Sequence, residues 1–382
     1  MHTSTRRGFL GGVLGPAWVG ASVLEQAVFR AALARAQAPS APADLFTLEK
    51  VADGIYAAIA RPAALINCNA AIFENATDLL VVDTHSKGSA AAALAAQIRQ
   101  QVTAKPVRYV VNTHFHWDHI QGTQAYKKLN PNLQVISSTP TRKLMAELGA
   151  ARLKASLDEV PKTIEGFKKQ LAAAQSAQQK APLEDAIRQA QAYLAEMRNW
   201  TPELPNLTFS DHLIIHDKAH TLHLAFRGRG HTAGDIVIYC PEKKVLAGGD
   251  LLHGFLPYIG DGYPREWPAT LKACAEFDFQ SVIGGHGPVQ RSRERLPQMG
   301  AYLAELTEAV ARGKRAGRTL EQLQAEITPS KLKSLESGGY GRYVAANLTA
   351  AYEQAGLAPP GDPLVVGVRE NVAATFEALG RT

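Results

Sequence analysis

Short apolar runs punctuate the chain from residue 45 onward. Residues 54–59 and 69–73 are apolar stretches between polar or glycine positions, and 78–83 is an apolar run with an acid at each end. Continuous apolar runs of this length predict buried strands. Residues 89–101 are alanine-rich and predict a helix, and 107–112 and 133–136 predict further strands. Strand, helix, strand spacing implies βαβ units and a layered α/β core. The pattern then changes over 139–200. Ile164, Phe167, Leu171 and Ala174 fall on one helical face, and Leu183, Ile187, Ala190, Leu194 and Met197 fall on another, with Lys180-Ala181-Pro182 between them. This predicts an inserted αα-hairpin, with Pro161 and Pro182 in the first turns of its helices. It reads as a decoration, with a lid or a dimer arm as the alternatives. Strands return at 207 and over 213–215, 221–225, 235–239 and 244–247, followed by a helix near 267–277 and a strand at 281–284. Residues 291–382 are mainly helical, over 296–312, 320–327, 343–355 and 372–379.

The first 38 residues follow a different pattern. Arg6-Arg7 precede an apolar stretch, 9–24, that is too short and glycine-rich to span a bilayer, and Ala36-Gln37-Ala38 offers a cleavage site. The order resembles a twin-arginine export signal. It implies a periplasmic protein that uses the twin-arginine export machinery, a route that carries folded chains. The expected organisation is a signal at 1–38, a core at 45–290 with the hairpin at 139–200, and a helical extension at 291–382.

Composition narrows the partners. The 382 residues carry 41 Lys+Arg against 35 Asp+Glu, a net charge of +6. Half of that surplus belongs to the first 38 residues, which hold Arg6, Arg7, Arg30 and Arg35 against Glu25. A 46% hydrophobic and 20% charged balance excludes a disordered chain. No dense basic stripe is present, so a small-molecule substrate is expected and nucleic acid is not. Cys68, Cys240 and Cys274 form no C-x-x-C pair and read as three buried thiols. The sequence leaves the oligomeric state open.

The informative segment is 113–119, Thr-His-Phe-His-Trp-Asp-His, directly after a predicted strand. Three imidazoles and a carboxylate so close together are costly to bury without a shared partner. On an extended turn His114 and His116 point the same way, while Asp118 and His119 face a second point. Imidazole nitrogen and carboxylate oxygen suit zinc.

The H-x-H-x-D-H run resembles the signature of the metallo-β-lactamase superfamily. Further positions match that pattern: His231 in Gly-His-Thr, Asp250 after Gly248-Gly249, His286 in Gly-Gly-His-Gly, and Asp83 at the end of an early strand. The resemblance implies a four-layer αββα sandwich, here with an inserted αα-hairpin and a helical C-terminal extension. It implies that His114, His116 and His231 hold one metal and that Asp118, His119 and His286 hold a second, with Asp250 between them. The metals would be two Zn2+, with iron or manganese as alternatives. It also implies a bridging hydroxide that Asp118 orients, attacking an ester, lactone, amide or similar bond.

Several residues and functions are weighed beside that pattern. In related lactonases a tyrosine commonly stands three residues after the bridging acid; here His253 does, either as a proton-transfer or polarising group or as an ordinary loop histidine. His85 is expected at the surface, with the pocket rim as the alternative. His212, His216, His220 and His223 match no family role. Trp117, Phe255, Tyr258, Tyr263 and Trp267 are candidates for the pocket mouth or for plain packing. Asp at 250, where zinc β-lactamase subclasses carry Cys or Ser, points away from a dedicated β-lactamase, although a β-lactamase-like hydrolase stays among the alternatives. The stretch after Asp250 lacks the Gly- and Cys-containing pattern of glyoxalase II, and the hairpin is too short for the inserted domain of RNA-processing members. The competing readings are a mononuclear iron enzyme that oxidises a sulfur compound and a degenerate binding protein.

Overall fold

The computed structural model of the chain describes residues 45–61, 68–355 and 361–380, so the expected export signal at 1–38 lies outside the described residues. The first sheet has the order β1 (Phe46–Ala52), β2 (Ile55–Ala60), β3 (Ala70–Glu74), β4 (Leu79–Val82), β5 (Val107–Val111), β6 (Gln134–Ser138), β7 (Leu207–Phe209). Strands β1 to β4 pair antiparallel, and β4 to β7 pair parallel, as the βαβ spacing requires. The second sheet has the order β12 (Ser281–Ile283), β11 (Val245–Ala247), β10 (Ile236–Cys240), β9 (Thr221–Phe226), β8 (His212–His216).

The two sheets face each other because their strands alternate between cores. On β4, Leu80 and Val82 join the inter-sheet core, while Leu79 and Val81 face the helix side. On β10, Ile236, Ile238 and Cys240 face the first sheet, and Val237 and Tyr239 face the other way. A one-residue slip would exchange these sets, so the alternation sets the register. Helix α1 (Gly88–Gln101) covers the outer face of the first sheet through Ala90, Ala91, Leu94 and Ile98. Two short helices, α2 (Trp117–Ile120) and α3 (Thr123–Leu129), follow β5.

The inserted hairpin is α4 (Thr139–Ala173) and α5 (Ala177–Met197). Ser138 caps α4 by accepting from the Thr141 amide. Leu153, Val160, Ile164 and Phe167 of α4 bury against Ala190, Tyr193 and Met197 of α5. The expected place of Pro161 is corrected: it lies inside α4, not in a first turn. Apolar packing on both sides of the proline carries the helix through the lost amide bond. Pro182 likewise lies beyond the first turn of α5. The hairpin docks on α2 and α1: Trp200 Nε1 donates to the Gln121 carbonyl (2.8 Å), Tyr193 donates to Gln121 Oε1 (3.2 Å), and Glu196 accepts from the Ser89 amide (2.7 Å).

Outside the second sheet lie α6 (Trp267–Cys274), α7 (Arg295–Arg315), α8 (Leu320–Glu326), α9 (Lys333–Glu336), α10 (Tyr340–Ala355) and α11 (Pro363–Ala378). Helix α11 begins well before the expected 372, because Asp362 accepts from the Leu364 amide and Pro363 fills the first turn. The layers are therefore helix, sheet, sheet, helix, the expected four-layer sandwich with its inserted hairpin and helical extension. All three cysteines are buried and unbridged, and among the described residues no helix is long and apolar enough to cross a membrane.

Candidate metal centre

The site lies where strands end at one edge of the sandwich. Asp83 follows β4, residues 113–119 follow β5, His231 follows β9, Asp250 follows β11 and His286 follows β12. Asn69 braces the last loop by donating to the carbonyls of Gly284 (3.1 Å) and Gly287 (2.7 Å). Two glycines leave room for the site. Gly249 has φ +50°, and a Cβ on Gly285 would lie 2.0 Å from Asp250 Oδ1.

The hydrogen bonds assign which nitrogen of each histidine is free to bind. Asp83 accepts from the Thr113 amide (2.8 Å), from Thr113 Oγ1 (2.8 Å) and from His119 Nδ1 (2.8 Å), which turns His119 Nε2 toward Asp118 and Asp250. Thr113 Oγ1, its proton committed to Asp83, accepts from His114 Nδ1 (3.0 Å), leaving His114 Nε2 bare. His231 Nδ1 donates to the Tyr258 carbonyl (3.0 Å), and His116 Nε2 donates to Asp261 Oδ2 (2.8 Å). The bare nitrogens His231 Nε2 and His116 Nδ1 then approach to 2.8 Å. Two lone pairs facing each other repel unless a cation or proton lies between them.

Ligand atoms of His114, His116, His231 and Asp250 lie within 4.8 Å of one another, and so do those of Asp118, His119 and His286. Asp250 joins the two groups. Its Oδ1 is 3.3 Å from His119 Nε2 and 3.5 Å from His286 Nε2, and its Oδ2 is 3.6 Å from His231 Nε2. Asp118 Oδ2 is 3.1 Å from His286 Nε2. His114 Nε2, His119 Nε2, Asp118 Oδ2 and Asp250 Oδ1 are buried with no hydrogen-bond partner. Orphaned acceptors converging in this way fit a divalent-metal pocket. Burial pushes the Asp118 and Asp250 carboxyls up, but His119 and His286 outweigh it and hold both well below the usual range; against burial, the same acids raise these two imidazoles well above theirs, so without a metal the pair of histidines holds protons that a bound cation would replace. Burial, reinforced by neighbouring imidazoles, lowers His114; it also lowers His116 and His231 against the pull of Asp261 and Asp250. All three are then neutral and able to coordinate. Cys68 lies near Asp83 and His119, yet burial pushes its thiol up to about 11, which makes it a poor ligand at neutral pH.

His253 is buried beside this cluster. Its Nδ1 accepts from the Phe255 amide (3.3 Å), which puts the ring proton on Nε2, 3.8 Å from Asp250 Oδ2. Its ligand atom also lies within 4.8 Å of those of Asp250 and His286, but in this tautomer Nε2–H acts as a donor. The expectation for His85 is corrected: it is fully buried with φ +68°, bonded through Nδ1 to the Cys68 carbonyl (2.9 Å) and stacked on Phe46. The turn after Asp83 folds it inward, beneath the site. Trp267 is a fully buried core residue against His231 and forms no pocket mouth, and half-buried Trp117 packs against the hairpin. Phe255 and Tyr258 do lie beside the site histidines. Asp261 and Arg152 were not singled out from the sequence. Arg152 donates to both Asp261 oxygens (2.7 and 2.8 Å). The one local signal is an acid between two glycines, Gly260-Asp261-Gly262.

Residues 64–286, more than half of the chain, match the family model described as the metallo-beta-lactamase superfamily. A type 2 metallo-beta-lactamase of Bacillus cereus is 31% identical over 70 residues, 17% of this chain; the chain spans only 27% of that relative's length. Among solved structures, a metallo-beta-lactamase from Pontibacter korlensis aligns at TM-score 0.49 and 18% identity, over 68% of this chain and 99% of that one. The DIM-1 metallo-beta-lactamase aligns at TM-score 0.46 and 17% identity, over 67% of this chain and 96% of that one. On the extent of the family match, the chain belongs to the metallo-β-lactamase superfamily.

Proposed function

We propose that this protein is an exported dinuclear zinc hydrolase that cleaves an ester, lactone, amide or similar bond in a small molecule. One observation carries the reading: two groups of buried imidazole and carboxylate atoms converge on Asp250, which lies 3.3–3.6 Å from His119, His286 and His231. His114, His116 and His231 hold one ion, and Asp118, His119 and His286 hold the other. When bound, divalent ions supply Lewis acidity and make a water acidic enough to react near pH 7.

The chain's own groups do the rest. Asp83, Thr113, Tyr258 and Asp261 hold the imidazoles in the tautomers that present bare nitrogens. Asp118 is ionised and oriented to accept a hydrogen bond from the attacking water. His253 turns an Nε2–H toward the same space, where it donates a hydrogen bond to a substrate oxygen and so polarises it. Burial lowers its pKa to about 3 despite Asp250, so it enters the reaction neutral.

Metal analysis of protein purified from its native compartment tests the proposal. About two zincs per chain are expected; a single iron would favour sulfur-compound oxidation, and no metal would end the enzymatic reading. Asp250→Ala should reduce the content toward one ion and lower turnover by orders of magnitude. A variant that keeps two tight ions and near-normal rate would remove Asp250 from its bridging role.

A further inference from the structure

We propose that Arg152 and Asp261 form a positioning relay through which the inserted hairpin sets the metal affinity of the His114, His116 and His231 group. The inference rests on the metal-binding reading above.

The relay joins three distant parts of the chain. Arg152 lies on α4, Asp261 on the loop before α6, and His116 at the start of α2. His116 differs from the other site imidazoles because Nδ1 faces the cluster and Nε2 faces away. Neutral imidazole has two tautomers, and only Nε2–H leaves Nδ1 bare. Asp261 selects that form by accepting the Nε2 proton at 2.8 Å. Its carboxylate is aimed by Arg152, whose fork meets both oxygens at 2.7 and 2.8 Å. Exposed ion pairs contribute little, but here the side chains are 13% and 30% exposed, and the contact is bidentate.

Arg152 has a second hold on the same loop. Its guanidinium lies 4.6 Å above the ring of buried Phe115, the residue before His116. Leu153, next to Arg152, is packed in the hairpin core. The hairpin is therefore tied to the ligand loop from above Phe115 and, through Asp261, from behind His116. That tie gives the insertion a role beyond decoration.

The test is metal affinity, measured by chelator competition with Zn2+, together with the visible spectrum of the Co2+-substituted protein. Asp261→Asn keeps the size of the side chain but loses the charge and one of the two acceptor oxygens, so the Arg152 fork and the His116 contact cannot both be kept whole. It should weaken one of the two ions about 10- to 100-fold, leave the other near its wild-type affinity, and alter the cobalt band. Arg152→Lys keeps the charge and most of the stem but loses the fork, and should weaken the same ion by a smaller factor. In the Asp261→Asn background, Arg152→Lys should add little, because the arginine acts through the carboxylate. Urea unfolding of the metal-free variants separates a lost fold from a lost ligand geometry. Two unchanged affinities and an unchanged cobalt band in Asp261→Asn would overturn the relay. So would an equal, additive effect of Arg152→Lys in both backgrounds. Wild-type protein that binds no ion would instead overturn the metal-binding reading, and the relay with it.

Discussion

The position of a single ring proton decides what each site histidine can do. His114, His119 and His231 donate from Nδ1 and His116 from Nε2, so each turns its other nitrogen inward. His253 accepts at Nδ1 and turns a proton inward instead. His253→Ala should therefore keep full metal content while losing about 10²–10³-fold in turnover, the usual worth of one hydrogen-bond donor to a developing oxyanion. Because the ring is neutral and can only polarise, the loss should be equal for substrates with good and poor leaving groups; a larger loss for poor ones would show that the ring reacts protonated and gives up a proton. Unchanged kcat for both would make it an ordinary loop histidine, and loss of an ion would make it a ligand. Asp235 gives a pH prediction at the same scale. Burial pushes its carboxyl up to about 7, against the hydrogen bonds it accepts from the Thr232 amide (2.8 Å) and hydroxyl (2.5 Å). An unfolded aspartate titrates near 3.9. Between about pH 4 and 7 the folded protein holds a proton that the unfolded chain has lost, so this group's contribution to stability falls as pH rises through that window and is level above it. Asp235→Asn cannot titrate. In urea unfolding of metal-free protein it should gain on the wild type between about pH 5 and 8; a constant difference would show an ordinary carboxyl.

At the scale of elements, strands and hairpin illustrate two kinds of information. The four residues of β4 are all buried, which the continuous apolar run predicted, but which of them faces which core was decided by the fold. The apolar faces of the hairpin were equally visible, but the position of Pro161 was not, because a proline reads locally as a helix start. Packing of Val160 and Ile164 on either side overrides that preference. The cost should remain measurable, since Pro161 is exposed and its ring contributes little to the core. An interior proline is about 3 kcal/mol worse than alanine. Replacing it returns about 0.4–1 kcal/mol of entropy to the unfolded chain. The balance predicts that Pro161→Ala raises the unfolding free energy by about 2 kcal/mol. A loss of stability in denaturant titration would mean that the hairpin needs the bend.

For the molecule as a whole, the proposed export and the metal centre constrain each other. A site built from loops after five different strands exists only once both sheets have formed. A route that carries folded chains would let the ions enter before export, and Arg6-Arg7 ahead of an apolar stretch are the residues that suggest it. Replacing Arg6 and Arg7 with Lys should leave unprocessed precursor in the cytoplasm, visible by fractionation and immunoblot. Normal processing of that double variant would show another route, or no signal at all.

Periodicity and the close-set run at 113–119 determined, from the sequence alone, a layered α/β core, an inserted hairpin and a candidate metal motif. These rest on neighbours within a few residues, where burial and side-chain direction follow from the local chain. Only the tertiary structure decided the tautomers and their keepers. Asp83 meets His119 across 36 positions, Arg152 meets Asp261 across 109, and Asp261 meets His116 across 145. The inward turn of His85 belongs to the same class. Such contacts depend on the path of the whole chain, and no local pattern records which loop a carboxylate will reach.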